Sequence, residues 1–330
     1  MMTTFRALQV TMPQPKQFVR QVVERSIDDL PAGELLVQVA YSSLNFKDAL
    51  SATGNPGVTR NFPHTPGIDA AGTVVECSDG RFAAGDEVIV TSYDLGMETD
   101  GGFAEMIRVP SSWAVKLPSG MSLKQSMMFG TAGLTAGLSV QELVEAGVTP
   151  DQGEILVTGA TGGVGSLAVA ILAKAGFQVT AATGKESEHA YLKELGATSV
   201  ISRDEVTENS TRPMLKPRWA GVVDCVGGEM LAAAIKATRY DGVVTCCGLV
   251  GSPDLPINVF PFILRGVRLI GIDSAECPMP RRQTVWNKLA SEWSLPQLET
   301  MNDEIGLEGL EEAISAMLAG SLKRRQIIKP

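Results

Sequence analysis

The sequence predicts an α/β protein in two parts, a β-rich domain and a doubly wound sheet of six parallel strands. Three observations carry this. Over the first 120 or so residues, short strand-like runs alternate with Gly and Pro punctuation. After residue 123 come six β-branched, nearly charge-free runs separated by helix-like stretches, the pattern of strands covered on both faces. The first of those six runs ends in a glycine-rich turn, VTGATGGVGS, residues 157 to 166.

At 330 residues and 44% hydrophobic content the chain is long enough to bury two cores. It contains no apolar run of about 18 residues, and the opening MMTTFRALQVTMPQP lacks the basic start and apolar stretch of a signal peptide, so a cytoplasmic location is expected. Its formal charge of -9 argues against nucleic acid or an anionic membrane, which are bound through clustered Lys and Arg. Five cysteines at 77, 225, 246, 247 and 277, with no CxxC pair, do not form a disulfide framework. A small molecule is the expected partner.

The β-rich part includes ELLVQVAYSSL (34 to 44), GIDAAGTVVEC (67 to 77), DEVIVTS (86 to 92) and GFAEMIRVP (102 to 110). The parallel series is EILVTGA (154 to 160), FQVTAAT (177 to 183), TSVIS (198 to 202), GVVDCVG (221 to 227), GVVTCCG (242 to 248) and VRLIGID (267 to 273). Six is the number a complete dinucleotide-binding sheet needs. Two helix-like segments, roughly 281 to 293 and 307 to 319, and a closing strand RRQIIKP then return to the first part. The expected division is therefore 1–123 with 280–330, and 124–279.

The glycine turn follows a strand, opens the helix GVGSLAVAILAKAG and stands first in the series, the context of a dinucleotide site. Thr161, Gly162, Gly163 and Val164 are its candidate diphosphate contacts, because glycines let the backbone approach and the helix start presents free N–H groups. The second strand selects the cofactor. Where an NAD site places an acid for the ribose hydroxyl, this strand ends AATGKES, with Lys185 at that place. The one nearby acid, Glu186, is expected to close a capping box on Thr183. Thr183, Gly184 and Lys185, with Arg203 after the third strand, then form the candidate pocket for a 2′-phosphate, favouring NADPH. One charge-assisted contact of roughly 1.5 to 3 kcal/mol gives about a tenfold to hundredfold preference.

With these elements in place, the chain resembles the medium-chain dehydrogenase/reductase superfamily along its whole length, which implies a GroES-like β-rich catalytic domain and a Rossmann domain. In zinc alcohol dehydrogenases of that superfamily a catalytic Cys precedes a TD pair and a His stands in GHE. The matching stretches here are SLNFKDAL and PGIDAAG, with Asn45 and Ile68 at the two ligand positions. Neither residue binds zinc, and no cysteine lies between 78 and 224 to build the structural zinc loop. YSSLNFKDAL, RNFPHTPGIDAAGTV, GTAGLTA, VTGATGGVGS, RDE, CGLVG and PFILRGVRLIGIDS resemble the NADPH-dependent acrylyl-CoA reductase branch of the zinc-free reductases. Without a Lewis acid, hydride addition to an activated C=C is easier than oxidation of an alcohol, because charge spreads into a conjugated carbonyl.

The resemblance implies reduction of acrylyl-CoA to propionyl-CoA, with Asn45 as the catalytic group whose amide N–H faces the developing charge. Tyr41 is a candidate to flank the nicotinamide or to supply a proton, and by the resemblance Leu249, Ile263 and Ser274 line that half of the cofactor. Arg60, Arg281, Arg282 and the run Lys323, Arg324, Arg325 are candidate cations for coenzyme A. Lys47 and Asp48 are read as structural, and neither His64 nor His189 has partners that suggest catalysis. The alternatives are a quinone or enone reductase on the same fold and a non-catalytic NADPH-binding protein. The apolar edge run VRLIGID suggests a homodimer.

Overall fold

The structure is a computed structural model that describes residues 4–330. The chain opens with a hairpin, β1 (Thr4–Gln14) and β2 (Gln17–Ser26), followed by β3 (Leu35–Ser43) and a short helix α1 (Phe46–Ser51). Next come β4 (Asp69–Cys77), β5 (Glu87–Thr91), β6 (Met106–Val109) and β7 (Ala114–Lys116), and then the long helix α2 (Leu123–Glu145). The parallel series consists of β8 (Ile155–Val157), α3 (Gly163–Lys174), β9 (Val179–Thr183), α4 (His189–Glu194), β10 (Ser199–Ser202), α5 (Arg203–Thr207), β11 (Trp219–Asp224), α6 (Gly228–Lys236), β12 (Thr238–Cys246), α7 (Phe260–Arg265) and β13 (Arg268–Gly271). The tail adds α8 (Met279–Ala290), β14 (Asn302–Gly306), α9 (Leu310–Leu318) and β15 (Arg325–Lys329). Among the described residues no helix is long and apolar enough to cross a membrane.

The chain divides into two compact units. One runs to Thr131 and takes in Ala275–Ala290 and Pro296–Pro330; the other is Ala132–Ser274 with Ser291–Leu295. The sequence texture changes at 123, where α2 begins, whereas the units part eight residues later inside that helix. The reason is Gly130, whose φ of 51° and ψ of -155° break the helical path just before the division.

In the first unit a sheet runs in the order β14-β15-β3-β4-β5-β7, with β6 paired to β3. The returning strand β15 lies antiparallel to β3, Ile327 opposite Ser43 and Ile328 opposite Ser42. Leu35, Val37, Val39, Val74, Val88, Val90 and Ile107 alternate inward to form one core, while Leu44, Ala49, Leu310, Ile314 and Ile328 join α1, α9 and β15 in a second. Each fully buried Val, Leu or Ile contributes about 1.5 to 3 kcal/mol, so the return of the tail is held by apolar packing as well as by strand pairing.

The second unit is the expected parallel sheet, in the order β10-β9-β8-β11-β12-β13. Strand order reverses between β8 and β11, which are neighbours in space though three strands apart in sequence. Ligands in such sheets bind in the crevice beyond the carboxyl ends of the strands at that reversal. Every residue of β8, β9 and β11 is buried, which is why these runs carry no charge until Asp224 closes β11.

Candidate active site

At the reversal point of the second unit, the turn after β8 is built as a phosphate cradle. Gly159 turns the chain at φ 59°, and a Cβ on Gly165 would sit 2.3 Å from the Gly159 carbonyl, so only glycine lets α3 pack this close to its strand. Gly162 caps α3 in extended conformation, and the first-turn amides of Gly163, Val164 and Gly165 have no carbonyl partner within the helix. They point their donors out of the helix start, where the dipole favours an anion.

Asp224 holds this turn from the neighbouring strand. Its carboxylate accepts from the Thr158 hydroxyl at 2.6 Å and from the Gly227 and Val226 amides at 2.8 and 3.3 Å. Thr158 in turn accepts from the Cys225 amide at 3.0 Å, so the ends of β8 and β11 are tied together across the reversal. Burial pushes the Asp224 carboxyl up, and these three donors oppose the shift. The reading from sequence passed over Asp224; its signal is a single charge closing an otherwise apolar strand.

The corner expected from the sequence to select the cofactor lies one strand over. Thr183 and Ser202 are register partners at the ends of β9 and β10, and Arg203 follows Ser202 directly. The Arg203 guanidinium lies against Gly184, where an added Cβ would be 3.0 Å from its Nε, so glycine here makes room for the cation. Thr161 and Thr183 approach with hydroxyl oxygens 3.5 Å apart, linking this corner to the glycine turn. The expected capping box does not form. Thr183 accepts instead from the Lys185 amide at 3.1 Å, and the helical turn begins at Glu186 with Lys185 as its cap. The chain bends within Thr183–Lys185 itself, two residues later than the sequence spacing suggests.

Leu249 follows β12 and is 67% exposed, and Ile263 on α7 is 71% exposed, unusual for residues of this size. Leu249 borders an open cavity of about 550 Å³ at the ends of β11, β12 and β13, lined also by Gly227, Cys246, Cys247, Gly248 and Asp273. The Ser274 hydroxyl accepts from Thr135 at 2.8 Å.

In the first unit Asn45 is the centre of a buried polar network. It caps α1, and the Asp48 carboxylate accepts from its backbone N–H at 2.7 Å and from the Ile68 amide at 2.8 Å. The Asn45 side-chain amide donates to the Ser43 carbonyl at 3.1 Å and to Asp69 at 2.7 Å, while its oxygen accepts from Arg325 at 3.3 Å. A carboxylate on one side and a guanidinium on the other leave one amide orientation. Both Asn45 protons are thus committed, which corrects the expectation that one is aimed at a substrate oxygen. Asp69, fully buried, also accepts from the Ser43 hydroxyl at 2.6 Å and from the Thr131 hydroxyl and amide. Burial and the neighbouring Asp69 push Asp48 up to about 7. Tyr41 stands two residues before the end of β3, half-buried.

Two of the cations proposed for coenzyme A are structural. Arg282 is fully buried, donates to the Thr91 carbonyl and hydroxyl at 2.8 Å each, and lies 4.4 Å over the Tyr93 ring. Arg325 belongs to the Asp69 network, with its side chain 8% exposed. Arg60 bonds a local carbonyl, that of Pro56, and Arg324 pairs with Asp303 at 3.2 Å on the surface. His64 is a buried bridge, its ring nitrogen 2.9 Å from the Gly96 carbonyl, and burial lowers its pKa. Among the described residues no group of three or more His, Cys, Asp or Glu side chains is placed to hold a metal ion. Ile68, at the second ligand position, is buried.

A family model described as zinc-binding dehydrogenase matches residues 163–291, and one described as alcohol dehydrogenase GroES-like domain matches residues 31–119. Acrylyl-CoA reductase AcuI of Ruegeria pomeroyi is 43% identical over 307 residues, 93% of each chain. The oxidoreductase yhdH of Salmonella enterica, solved in complex with NADP, superposes with a TM-score of 0.95 at 44% identity, covering 98% of this chain and 99% of that one. Bacillus subtilis YhfP, whose name assigns it provisionally to the quinone oxidoreductases, is 46% identical over the full length of both chains. Its structure with NAD bound superposes with a TM-score of 0.97.

Proposed function

The chain belongs to the medium-chain dehydrogenase/reductase superfamily, and from that premise we propose that it is an NADPH-dependent reductase of an α,β-unsaturated thioester, acrylyl-CoA to propionyl-CoA. The observation that carries the cofactor half is the corner where Arg203 lies on Gly184 beside Thr183 and Lys185, with no carboxylate closing β9. Its donors suit a 2′-phosphate, and the glycine cradle before α3 suits a diphosphate. The likeness to AcuI supports the substrate half.

In this reading the free amides of Gly163 and Val164 hold the diphosphate beside Gly162, whose own amide closes the turn onto the Gly159 carbonyl, and Thr161, Thr183, Gly184, Lys185 and Arg203 hold the adenosine end. Leu249, Ile263 and Ser274, all in the second unit, border the nicotinamide, and Tyr41 and Asn45 are the residues of the first unit assigned to the reaction. Bound NADPH supplies the hydride for the substrate β-carbon. Asn45 is a positioning residue rather than an oxyanion donor, since Ser43, Asp69 and Arg325 hold all its side-chain hydrogen-bonding groups.

The reading extends to a homodimer, because β13 is an edge strand of the six-stranded sheet with Leu269 and Ile270 only partly covered. It also extends to the cytoplasm, where five free cysteines stay reduced. The test of function is the initial rate of NADPH oxidation with acrylyl-CoA, run beside NADH and beside a simple quinone. NADPH-specific turnover of the thioester is the expected result. Quinone turnover with an inert thioester moves the function to the second reading, which the YhfP likeness favours.

A further inference from the structure

Two thiols that no step above uses face each other at the cofactor end of the parallel sheet. Asp224 and Cys246 are register partners at the ends of β11 and β12, and the pairing runs one residue further, since the Cys247 amide donates to the Asp224 carbonyl at 3.0 Å. Cys225 and Cys247 are therefore neighbours across adjacent parallel strands, about 4.8 Å apart in backbone spacing and inside the range a disulfide spans. Their sulfurs are 3.9 Å apart, and Cys247 Sγ lies 3.4 Å from the Asp224 carbonyl oxygen. Closing to a bond length of about 2.05 Å needs the sulfurs to approach by about 1.9 Å, a displacement that side-chain rotation and small shifts at two loop starts can share.

Both thiols are part-buried, but they border different surroundings. Cys247 lines the open cavity of about 550 Å³, so a small oxidant reaches it, and Cys225 does not line it. The contact with Cys247 and burial push the Cys225 thiol up.

Cys225 also touches the phosphate cradle. A Cβ on Gly159 would lie 3.4 Å from the Cys225 Cβ, the Cys225 amide is held by Thr158, and a Cβ on Gly248 would lie 2.1 Å from the Cys225 carbonyl oxygen. With no slack between the β8, β11 and β12 loops, a shift of Cys225 toward Cys247 moves the glycine turn and the Gly248–Leu249 backbone with it.

We propose that Cys225 and Cys247 form a peroxide-responsive dithiol switch that lowers dinucleotide affinity when oxidised. The Cys247 thiolate attacks one peroxide oxygen, giving a sulfenic acid and, with its proton, water. The Cys225 sulfur then displaces the sulfenic hydroxyl, which leaves as a second water with the Cys225 proton. Two thiols and one hydrogen peroxide become one disulfide and two waters. The effect on affinity rests on the cofactor reading above; the bond itself does not.

The experiment treats the full-length protein with hydrogen peroxide, alkylates residual thiols, maps unreduced peptides by mass spectrometry, and titrates NADPH before and after. The expected result is a peptide pair joined through Cys225 and Cys247, with NADPH affinity lowered at least tenfold and restored by dithiothreitol. In Cys225→Ala the same treatment leaves a Cys247 sulfenic acid that dimedone traps. A folded wild-type protein with no Cys225–Cys247 link after treatment overturns the proposal, and so does a linked protein that binds NADPH as before. Untreated protein that fails to bind NADPH overturns the cofactor reading and the gating with it, while the peptide map still reports on the bond.

Discussion

Arg325 Nη2 lies 3.6 Å from Asp69 Oδ2 in the interior of the first unit, and the Ser43 hydroxyl spans the gap, accepting from Arg325 at 2.7 Å and donating to Asp69 at 2.6 Å. Both charges are out of water, so each depends on the other. Burial pulls the Arg325 guanidinium below its usual value, and the charges of Asp69 and Asp48 oppose that. Removing one partner of such a pair leaves an uncompensated buried charge, which costs about 3 to 5 kcal/mol. Arg325→Met is expected to destabilise by that amount in urea unfolding, and the double variant Asp69→Asn, Arg325→Met is expected to recover part of it. A single variant within about 1 kcal/mol of wild type would show that the pair contributes little.

Gly130 completes the same network by what it lacks. Its φ of 51° and ψ of -155° suit glycine alone, and an added Cβ would lie 2.5 Å from both Arg325 Nη2 and Asp69 Oδ2 and 2.6 Å from the Ser43 hydroxyl. Gly130→Ala is expected to cost more than about 3 kcal/mol, since backbone strain of about 1 to 3 kcal/mol adds to displacement of a charged network. A melting temperature unchanged from wild type would mean that the helix break is a loose joint.

These two positions show what was legible in the sequence. The six parallel strands were readable because burial on both faces excludes charge, and the phosphate turn because glycine spacing records backbone contact directly. Arg325 reads, within the run Lys323, Arg324, Arg325, as a candidate cation for coenzyme A; what buries it instead is the pairing of β15 with β3, a partner 282 residues away for the Ser43 contact. Asp224 was passed over for the same reason, since Thr158 lies 66 residues from it. Asn45 was found by alignment to a motif, yet its chemistry was misread, because nothing local shows that Asp69 and Arg325 saturate its amide. The Thr183 to Glu186 spacing suggested a cap that the bend at Lys185 displaces.

Asp48 gives the first unit a pH signature. Its carboxyl is raised from 3.8 to about 7 by burial and by Asp69, so the folded state holds the proton more tightly than the unfolded chain. A raised acid contributes stability that is present at low pH and lost as pH climbs from about 4 to about 7. Asp48→Asn removes that titration. Between pH 5 and 7 the variant is expected to gain on wild type by about 2 to 3 kcal/mol in urea unfolding, at roughly 1.4 kcal/mol per pH unit. Parallel profiles for the two proteins would place the Asp48 carboxyl in the ordinary range.

On the reading proposed above, Arg203 and Lys185 carry the cofactor preference and divide the work by geometry. Arg203 is exposed with its guanidinium lying against Gly184, just after β9, whereas Lys185 stands at the cap of the following turn. A planar, pre-oriented donor loses less entropy on binding a phosphate than an ammonium does. Arg203→Ala is therefore expected to raise the NADPH dissociation constant about tenfold to hundredfold, the worth of one charge-assisted contact, and Lys185→Ala by less. Neither should change NADH affinity more than about twofold, because NADH has no 2′-phosphate to lose a partner. Gly184→Ala tests the same corner without removing a charge. Its Cβ would lie 3.0 Å from Arg203 Nε, so the guanidinium must move aside and NADPH should weaken while NADH does not. Equal weakening of both cofactors in all three variants would move the 2′-phosphate away from this corner and leave the preference without a structural source.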